Sequence, residues 1–454
     1  MSKVLFSLLM LAVARSGLAV AAEISLQPGE LCFRVDGRPS FLLGRNPTGT
    51  ECEHFDELLT WAAGSGERIL RIHLTVGFQP HAAAGAVDEA WARQWERVFD
   101  LADAKGLHVL PVFGVWADWN DGSSGLPWHQ WHRNPFNATK RGPARSPAEL
   151  FGDTECQRLW LGWLESLVKR WQARPNILGW EIFSELDLVT GATEAAATPF
   201  IERAAKFICA ADSRRRPVMA SLSGVGEWPR LFASPALDCV QVHPYADGQR
   251  GNLDELILTS VRERMRRYGK PVFIGESGLD SRGARDGLAN APRASIGIGH
   301  ALWAALVSGA MNGRMLWWED GYDRYQQLDL RAKHALAAKP VATFARRMDF
   351  TGFRPVATTL PREVKGAALG NERSVIAWFR DAHCEPPDWP IRTVAAQRVM
   401  LAVPGAARDW TVEFFETSSA RRIGEGKAWR KSDGIHVALP AFEGSVALKM
   451  TARD

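Results

Sequence analysis

The 454-residue sequence contains only four tyrosines and six cysteines, and it has no marked excess of either charge. The cysteines form no CxxC pair and show no metal-type spacing, which argues against a zinc module and a disulfide-stapled miniprotein. The 55 basic and 51 acidic residues give a net charge of +4, so nothing indicates a nucleic-acid partner. No glycine-rich GxGxxG or GxxxxGK[ST] motif follows the first predicted strand, which leaves a nucleotide-binding fold without support. The cysteines are Cys32, Cys52, Cys156, Cys209, Cys239 and Cys384.

The N-terminus carries a short basic start, an apolar run over residues 4–14 and small residues ending at Ala22. This pattern predicts a secretory signal peptide over residues 1–22 and hence a secreted or periplasmic protein. No later segment approaches the ~18 uninterrupted apolar residues of a membrane span, so we expect no span. Disulfides are permitted in an oxidising compartment, but the sequence does not define their connectivity.

Short β-rich apolar segments alternate with longer segments of helical periodicity from residue 31 to residue 348. With 46% hydrophobic and 23% charged residues, the chain has the balance of a globular protein. Eight such parallel units over about 300 residues predict an α/β fold, the (β/α)8 TIM barrel. Predicted strands cover residues 41–46, 69–74, 108–116, 177–183, 217–221, 239–245, 271–277 and 314–320. The clearest predicted helices cover residues 88–104, 153–171, 199–211, 253–268 and 296–310.

The pattern changes after residue 348 to alternating strands with turn residues between them and no strong helix. This predicts a small C-terminal antiparallel β-sandwich domain over residues 349–454. No repeat or low-complexity linker separates it from the barrel of residues 23–348, so we expect the two parts to pack together.

Two glutamates close predicted strands where a β/α barrel places its reactive groups. Glu185 ends GWEIFSELD beyond the fourth strand, and Glu276 ends PVFIGES at the seventh. Two carboxylates that face one cleft can divide roles, one protonated as a general acid and one ionised as a nucleophile, as glycoside hydrolysis requires. The alternative is that each is an ordinary glutamate that caps a loop, which is the commoner role of a single glutamate. Glu181 lies within the fourth predicted strand, whereas Asp187 and Glu319 either line the same pocket or form salt bridges.

Five segments, in this order, resemble the barrel signatures of clan A glycoside hydrolases, the retaining cellulase and mannanase type near family 5. They are FRVDGRPSFLLGRN, GWEIFSELD, VQVHPYA, VFIGESG and MLWWED. The resemblance covers most of residues 31–348. It implies a retaining β-glycoside hydrolase that acts on a polysaccharide or oligosaccharide such as a β-glucan, a β-mannan or a bacterial exopolysaccharide, without a cofactor or metal.

The resemblance also implies roles for individual residues. Glu185 would be the acid/base, and Glu276 would be the nucleophile that forms a glycosyl-enzyme intermediate. Arg71 matches the position whose guanidinium keeps the nucleophile ionised, although a buried ion pair that supports the barrel is an equally compatible role. In the H-x-Y of strand 6, the hydroxyl of Tyr245 would bond the nucleophile, and His243 would contact the sugar or the acid/base.

Ser184 departs from the family pattern, because the residue before the acid/base is usually an asparagine whose amide contacts the sugar 2-hydroxyl. A hydroxyl is shorter and has one donor instead of two. We still assign Ser184 and His73 to substrate binding. The departure motivates a second hypothesis, a catalytically weak carbohydrate-binding barrel. A third is a transglycosylase that remodels an exported polysaccharide, and the oligomeric state stays open.

Tryptophan is abundant, with 19 residues, and several lie in segments expected at the barrel mouth. An indole stacks on the apolar face of a pyranose, but core packing is the ordinary role of a tryptophan. We predict sugar contacts for Trp116, Trp119, Trp317 and Trp318, although alternation turns only one of the last two inward. The long loop WADWNDGSSGLPWHQWHRNPFN is the strongest sugar-binding candidate. Its His129 and His132 suit a solvated or sugar-binding pair better than a metal site.

Overall fold

The computed structural model describes residues 24–27, 29–47, 55–75, 80–126, 128–246, 252–279, 288, 291–316, 328–346 and 348–453. The predicted signal peptide, residues 1–22, lies outside the described residues, and so does Glu23, the first residue of the predicted barrel domain. Trp317, Trp318 and Glu319 also lie outside them, as does Cys52.

Eight parallel strands in the described part of the chain form the predicted barrel, which confirms the (β/α)8 fold. Six of them make one continuous sheet in the order β8, β1, β2, β3, β4, β5, and β6 pairs with β7. The strands are β1 Leu42–Arg45, β2 Ile69–His73, β3 His108–Val115, β4 Trp180–Ser184, β5 Val218–Met219, β6 Val240–Val242, β7 Val272–Ile274 and β8 Asn312–Leu316. A three-stranded antiparallel sheet precedes them, formed by Ile24–Ser25, Phe33–Val35 and Arg38–Ser40.

Side chains join the strands where the backbone ladder is interrupted. The Asp238 carboxylate accepts a hydrogen bond from the Val218 N–H at 2.7 Å, which links the β5 and β6 segments. The Asn312 amide at the start of β8 bonds both the N–H and the C=O of Ile274 in β7, each at 2.8 Å. These bonds satisfy backbone groups that a regular ladder would otherwise pair, and they close the ring of strands.

Each barrel helix follows the strand of the same number. Two of them begin at aspartate N-caps: Asp88 accepts from the Trp91 N–H and Asp153 from the Cys156 N–H, each at 2.8 Å. None of the described helices has both the length and the apolar character needed to cross a membrane. The helices are α1 Phe55–Gly64, α2 Glu89–Ala104, α3 Thr154–Trp171, α4 Glu194–Ala211, α5 Pro229–Ala233, α6 Leu253–Tyr268, α7 Ala294–Ser308 and α8 Leu328–Ala345, with a short turn of helix at Glu149–Gly152.

The C-terminal domain is antiparallel, as predicted, and its main sheet has nine strands in the order β9, β11, β12, β19, β15, β16, β17, β14, β10. The two edge strands β9 and β10 are consecutive in the chain, so the sheet curls on itself around a second hydrophobic core. The strands are β9 Arg354–Val356, β10 Thr358–Thr359, β11 Val364–Gly370, β12 Ser374–Asp381, β13 Thr393–Val394, β14 Gln397–Leu401, β15 Asp409–Glu416, β16 Arg422–Lys431, β17 Gly434–Leu439, β18 Phe442–Glu443 and β19 Ser445–Ala452.

The two domains pack directly against each other. Ile376 and Trp378 of β12 belong to the same hydrophobic core as the barrel helices. Arg380, also in β12 and fully buried, bonds Asp254 at 2.6 Å and Glu255 at 2.7 Å in the first turn of α6. The five cysteines in the described part of the chain are unpaired thiols.

Candidate active site

The two glutamates singled out in the sequence meet at the carboxyl ends of the barrel strands. Glu185 follows β4 directly and Glu276 lies just beyond β7, and one carboxylate oxygen of each lies within 4.8 Å of the other. Nδ1 of His243 lies 2.9 Å from Glu185 Oε1 and 3.7 Å from Glu276 Oε2. Residues 91 positions apart in the sequence therefore share one site, with a histidine beside both.

Glu185 adopts a left-handed backbone conformation with φ of 58°. This conformation costs a non-glycine residue on the order of 1 kcal/mol and is found where a functional constraint outweighs strain. The Glu185 N–H donates to Ser221 Oγ at 3.0 Å, which holds the turn against the end of β5. The chain then enters a single 3₁₀ turn at Leu186–Leu188.

Arg71 of β2 uses all five of its N–H donors inside the barrel. Its Nε and Nη2 form a two-pronged ion pair with Glu181, each bond 2.7 Å long. Its Nη1 donates to Glu276 Oε1 at 2.8 Å and to Asn46 Oδ1 at 3.3 Å, and Nη2 also donates to Ser184 Oγ at 2.9 Å. One guanidinium therefore ties together β2, β4 and the ends of β1 and β7.

The hydrogen-bond partners of Glu276 favour its ionised form. Its Oε1 accepts from Arg71, and its Oε2 accepts from the Tyr245 hydroxyl at 2.7 Å. Burial alone would raise the pKa of Glu276, but the His243 imidazole, the Arg71 guanidinium and the Tyr245 hydroxyl favour the carboxylate and hold the pKa below its ordinary value.

Glu185 has the opposite electrostatic environment. Burial and the negative charge of Glu276 raise its pKa, and the hydrogen bond from His243 opposes this only in part. Its side chain is 12% exposed against 7% for Glu276, so it is the more accessible of the two. The pair therefore combines one carboxyl that favours its proton with one that favours its charge.

His73 and Ser184 lie in the same site, and both side chains are buried. His73 is buried with its Nε2 3.8 Å from Glu276 Oε1, and burial together with Arg71 lowers its pKa well below the ordinary value, so it is neutral. The Ser184 oxygen, also buried, accepts from Arg71. Both residues were predicted to bind substrate; the structure places Ser184 in a hydrogen bond with Arg71 and His73 beside Glu276.

The aromatic loop after β3 has a packed interior. Trp119 is 3% exposed, and its ring packs on Trp131 and Phe136 at centroid distances of 5.5 and 5.2 Å. It supports the loop from inside, which differs from the sugar-stacking role predicted for it. Trp116 is half-buried and keeps part of its surface available. Asp118 between them accepts a hydrogen bond from the Thr75 hydroxyl, and burial raises its pKa to about 7.

His129 and His132 of this loop are exposed and lie edge to face, with ring centroids 6.2 Å apart. Within the described residues, the group of three side chains with metal-ligand geometry is Glu185, His243 and Glu276. Both oxygens of Glu276 already accept hydrogen bonds, and the Arg71 cation lies against it, which opposes a second cation. The donor set therefore fits an acid and nucleophile pair better than a metal centre.

Sequence reasoning did not assign four residues that complete the site: Asn46, Glu181, Ser221 and Gln241. Glu181 receives hydrogen bonds from Arg71, from Gln241 at 3.1 Å and from Ser221 at 3.3 Å. One signal was available for Gln241, because Gln241, His243 and Tyr245 alternate along one strand and so point to the same side.

Solved structures of glycoside hydrolases share this architecture. One, described only as a glycoside hydrolase, matches with a TM-score of 0.66 and 13% identity, over 95% of this chain and 98% of that chain. A family 5 glycoside hydrolase from Bacteroides vulgatus matches with a TM-score of 0.63 and 12% identity, over 95% and 93% of the two chains. An endo-1,4-β-mannanase from Rhizomucor miehei matches with a TM-score of 0.53 and 13% identity, over 71% of this chain and all of that chain (100%).

No protein-family profile matches the sequence, and no curated protein is similar to it in sequence. At identities of 12–13% the structural matches establish the fold, and they do so over both domains in the first two cases. The chain therefore has the barrel and C-terminal β-domain architecture of clan A glycoside hydrolases of the family 5 type, which confirms the resemblance found in the sequence at the level of the fold.

Proposed function

We propose that this protein is a retaining β-glycoside hydrolase that acts on a polysaccharide or oligosaccharide. The observation that carries the proposal is the pairing of Glu185 and Glu276 across one site, with carboxylate oxygens within 4.8 Å and with pKa values shifted in opposite directions. Retaining enzymes hold their two carboxyl groups about 5–5.5 Å apart, whereas inverting enzymes leave about 6.5–9.5 Å for a water molecule.

The proposed reaction begins with attack of the ionised Glu276 on the anomeric carbon. Glu185 gives its proton to the leaving glycosidic oxygen as the bond to that oxygen breaks, and a glycosyl ester of Glu276 forms. Glu185, now a carboxylate, then removes a proton from water, which attacks the ester and frees Glu276. Arg71 and Tyr245 stabilise the Glu276 carboxylate before the first step and after the second.

The proposed substrates are β-glucans, β-mannans and bacterial exopolysaccharides, and the match to an endo-1,4-β-mannanase supports the inclusion of β-mannan. The proposed location is outside the cytoplasm, in the periplasm or the medium, because of the leader-like residues 1–22. No cofactor is needed for the two steps, since both bond changes use carboxyl groups of the chain.

The test is a panel of purified polysaccharides and oligosaccharides, scored by product length and by NMR detection of the anomer released first. We expect retention of configuration. Glu185→Gln should lower kcat by about 10²–10⁴-fold, the usual contribution of a general acid. Glu276→Gln should abolish turnover while it leaves sugar binding in place. Glu227→Gln is the matched control, because that glutamate is half-buried and bonds the Tyr268 hydroxyl instead of a residue of the site.

Rescue by azide separates the two roles. In Glu276→Ala, azide should attack from the vacated side and give a glycosyl azide of inverted configuration. In Glu185→Ala, azide should attack the glycosyl ester and give a product of retained configuration. Sugar binding without turnover on every substrate would instead favour the carbohydrate-binding barrel, and net transfer to added acceptor sugars would favour the transglycosylase.

A further inference from the structure

Gln241 of β6 lies between two residues of the site, Glu181 and His243. Its side-chain Nε2 lies 3.1 Å from Glu181 Oε1 and 3.1 Å from His243 Nε2. The residue is 1% exposed and His243 is fully buried, so solvent does not compete for these contacts. Gly275, just before Glu276, leaves room for the amide, since a Cβ there would lie 2.0 Å from Gln241 Nε2.

The Glu181 carboxylate determines which end of the Gln241 amide faces it. A carboxylate accepts hydrogen bonds only, so the NH₂ group and not the carbonyl oxygen must point toward Glu181. Glu181 is itself held by the two-pronged ion pair with Arg71. Gln241 Oε1 is buried and has no hydrogen-bond partner among the described residues, so the amide keeps this orientation despite the cost of an unsatisfied oxygen.

This orientation in turn determines the protonation of His243. The second N–H of the amide points at His243 Nε2, which must therefore be the unprotonated, accepting nitrogen. The ring proton is then on Nδ1, which faces Glu185 Oε1 at 2.9 Å and donates to it. If both ring nitrogens carried a proton, the Nε2–H of His243 would face the N–H of the Gln241 amide, and two donors cannot hydrogen-bond to each other.

We propose that Gln241, oriented by Glu181, is a positioning residue that fixes His243 as the Nδ1–H tautomer, so that Glu185 carries its acidic proton on Oε2. The proposal rests on the proposed function for its catalytic consequence. In the first step the Oε2–H bond breaks and the proton passes to the leaving glycosidic oxygen. The electron pair stays on the Glu185 carboxylate, whose Oε1 already accepts the Nδ1–H bond.

Three titratable groups face Glu185. Glu276 faces it from beyond β7, and Asp187 follows it in its own loop. His243 faces it from β6, with the ring orientation described above. Of these three, His243 is the group that hydrogen-bonds Gln241, so a change at Gln241 reaches Glu185 through the imidazole.

The experiment uses the full chain labelled with ¹⁵N-histidine and long-range ¹H–¹⁵N NMR, with the His243 signals assigned by their loss in His243→Gln. We expect the Nδ1–H tautomer in the wild-type protein. Gln241→Met has nearly the same size but no donor, and it should populate the Nε2–H tautomer. Gln172→Met, at a surface glutamine that bonds Ser213, is the matched control and should leave the tautomer unchanged.

The kinetic readout is the pH dependence of kcat/KM on any substrate that the protein cleaves. Loss of the Nδ1–H donor removes a bond that favours ionised Glu185, so the alkaline limb of Gln241→Met should move up by about one pH unit. The acid limb should stay in place, and kcat should fall about tenfold. A merely structural role would lower activity without moving one limb alone.

The Nε2–H tautomer in the wild-type protein would overturn the proposal, and so would an unchanged tautomer and alkaline limb in Gln241→Met. If Gln241→Met does not fold, the wild-type tautomer alone decides. The NMR measurement needs no turnover, so absence of glycosidase activity would contradict the proposed function while the tautomer assignment could still succeed or fail independently.

Discussion

The hydroxyl of Tyr245 offers a direct test of how Glu276 is kept ionised. Tyr245→Phe removes one hydrogen bond, the 2.7 Å contact to Glu276 Oε2, and leaves the ring and the Arg71 bond in place. A hydrogen bond to a charged group contributes about 1.5–3 kcal/mol, and about 1.4 kcal/mol corresponds to one pKa unit. Since the hydroxyl favours the ionised carboxylate, its removal raises the pKa of Glu276 by about 1–2 units.

The assay is the pH profile of kcat/KM. The nucleophile must be ionised, so activity is lost as the pH falls through the pKa of Glu276, and the acid limb of Tyr245→Phe should lie about 1–2 pH units above that of the wild type. The matched control is Tyr268→Phe, which deletes the hydroxyl that donates to Glu227, a glutamate outside the hydrogen-bonded group around Glu185 and Glu276. An acid limb that stays in place, or an alkaline limb that moves instead, would refute the assignment of Glu276 as the ionised partner.

Three further predictions concern stability. Because the pKa of Glu185 is raised, the native state retains a proton that the unfolded chain loses above about pH 4.3. The free energy of unfolding therefore falls as the pH rises above that value. Glu185→Gln should raise the Tm near neutral pH but not below about pH 4. Arg71→Lys keeps the charge but cannot make five bonds, and it should lower the free energy of unfolding by about 3 kcal/mol in urea titrations. Arg380→Met leaves the buried Asp254 carboxylate unpaired, and calorimetry should show that the free energy of unfolding falls by about 3–5 kcal/mol. An unchanged Tm would mean that the packing of the two domains does not depend on this ion pair.

The sequence predicted the barrel well because its strands are short and mostly apolar and because helices such as α2 and α3 are amphipathic. Each of the eight predicted strands overlaps an observed one, although β5, β6 and β7 contain only two or three ladder residues. Among the five helices predicted from periodicity, the largest boundary error is the start of α4, for which the prediction is Pro199. The helix begins at Glu194, where the Thr193 side chain caps it by accepting from the Ala196 N–H.

The candidate site was predictable only in part. Residues at strand ends were found because topology alone places them at the mouth, and the resemblance supplied Arg71, His243 and Tyr245. Glu181 and Gln241 were not assigned, since their importance depends on contacts between β2, β4 and β6 that no local pattern encodes. Trp119 was misjudged for a related reason: an aromatic residue in a long loop packs inside or faces out according to contacts with residues such as Phe136.

The charge balance of the site explains why its two glutamates differ. Two carboxyl groups, Glu181 and Glu276, pair with the Arg71 cation, Glu185 lies beside Glu276, and His73 is neutral. With His243 in the neutral Nδ1–H form proposed above, three ionised carboxylates would give this group a net charge of −2, which a site shielded from water strongly disfavours. One proton must therefore remain, and it belongs on the carboxyl without a bond to Arg71. Glu181 has two bonds to Arg71 and Glu276 has one, so the proton resides on Glu185, the group that faces the leaving oxygen in the proposed reaction.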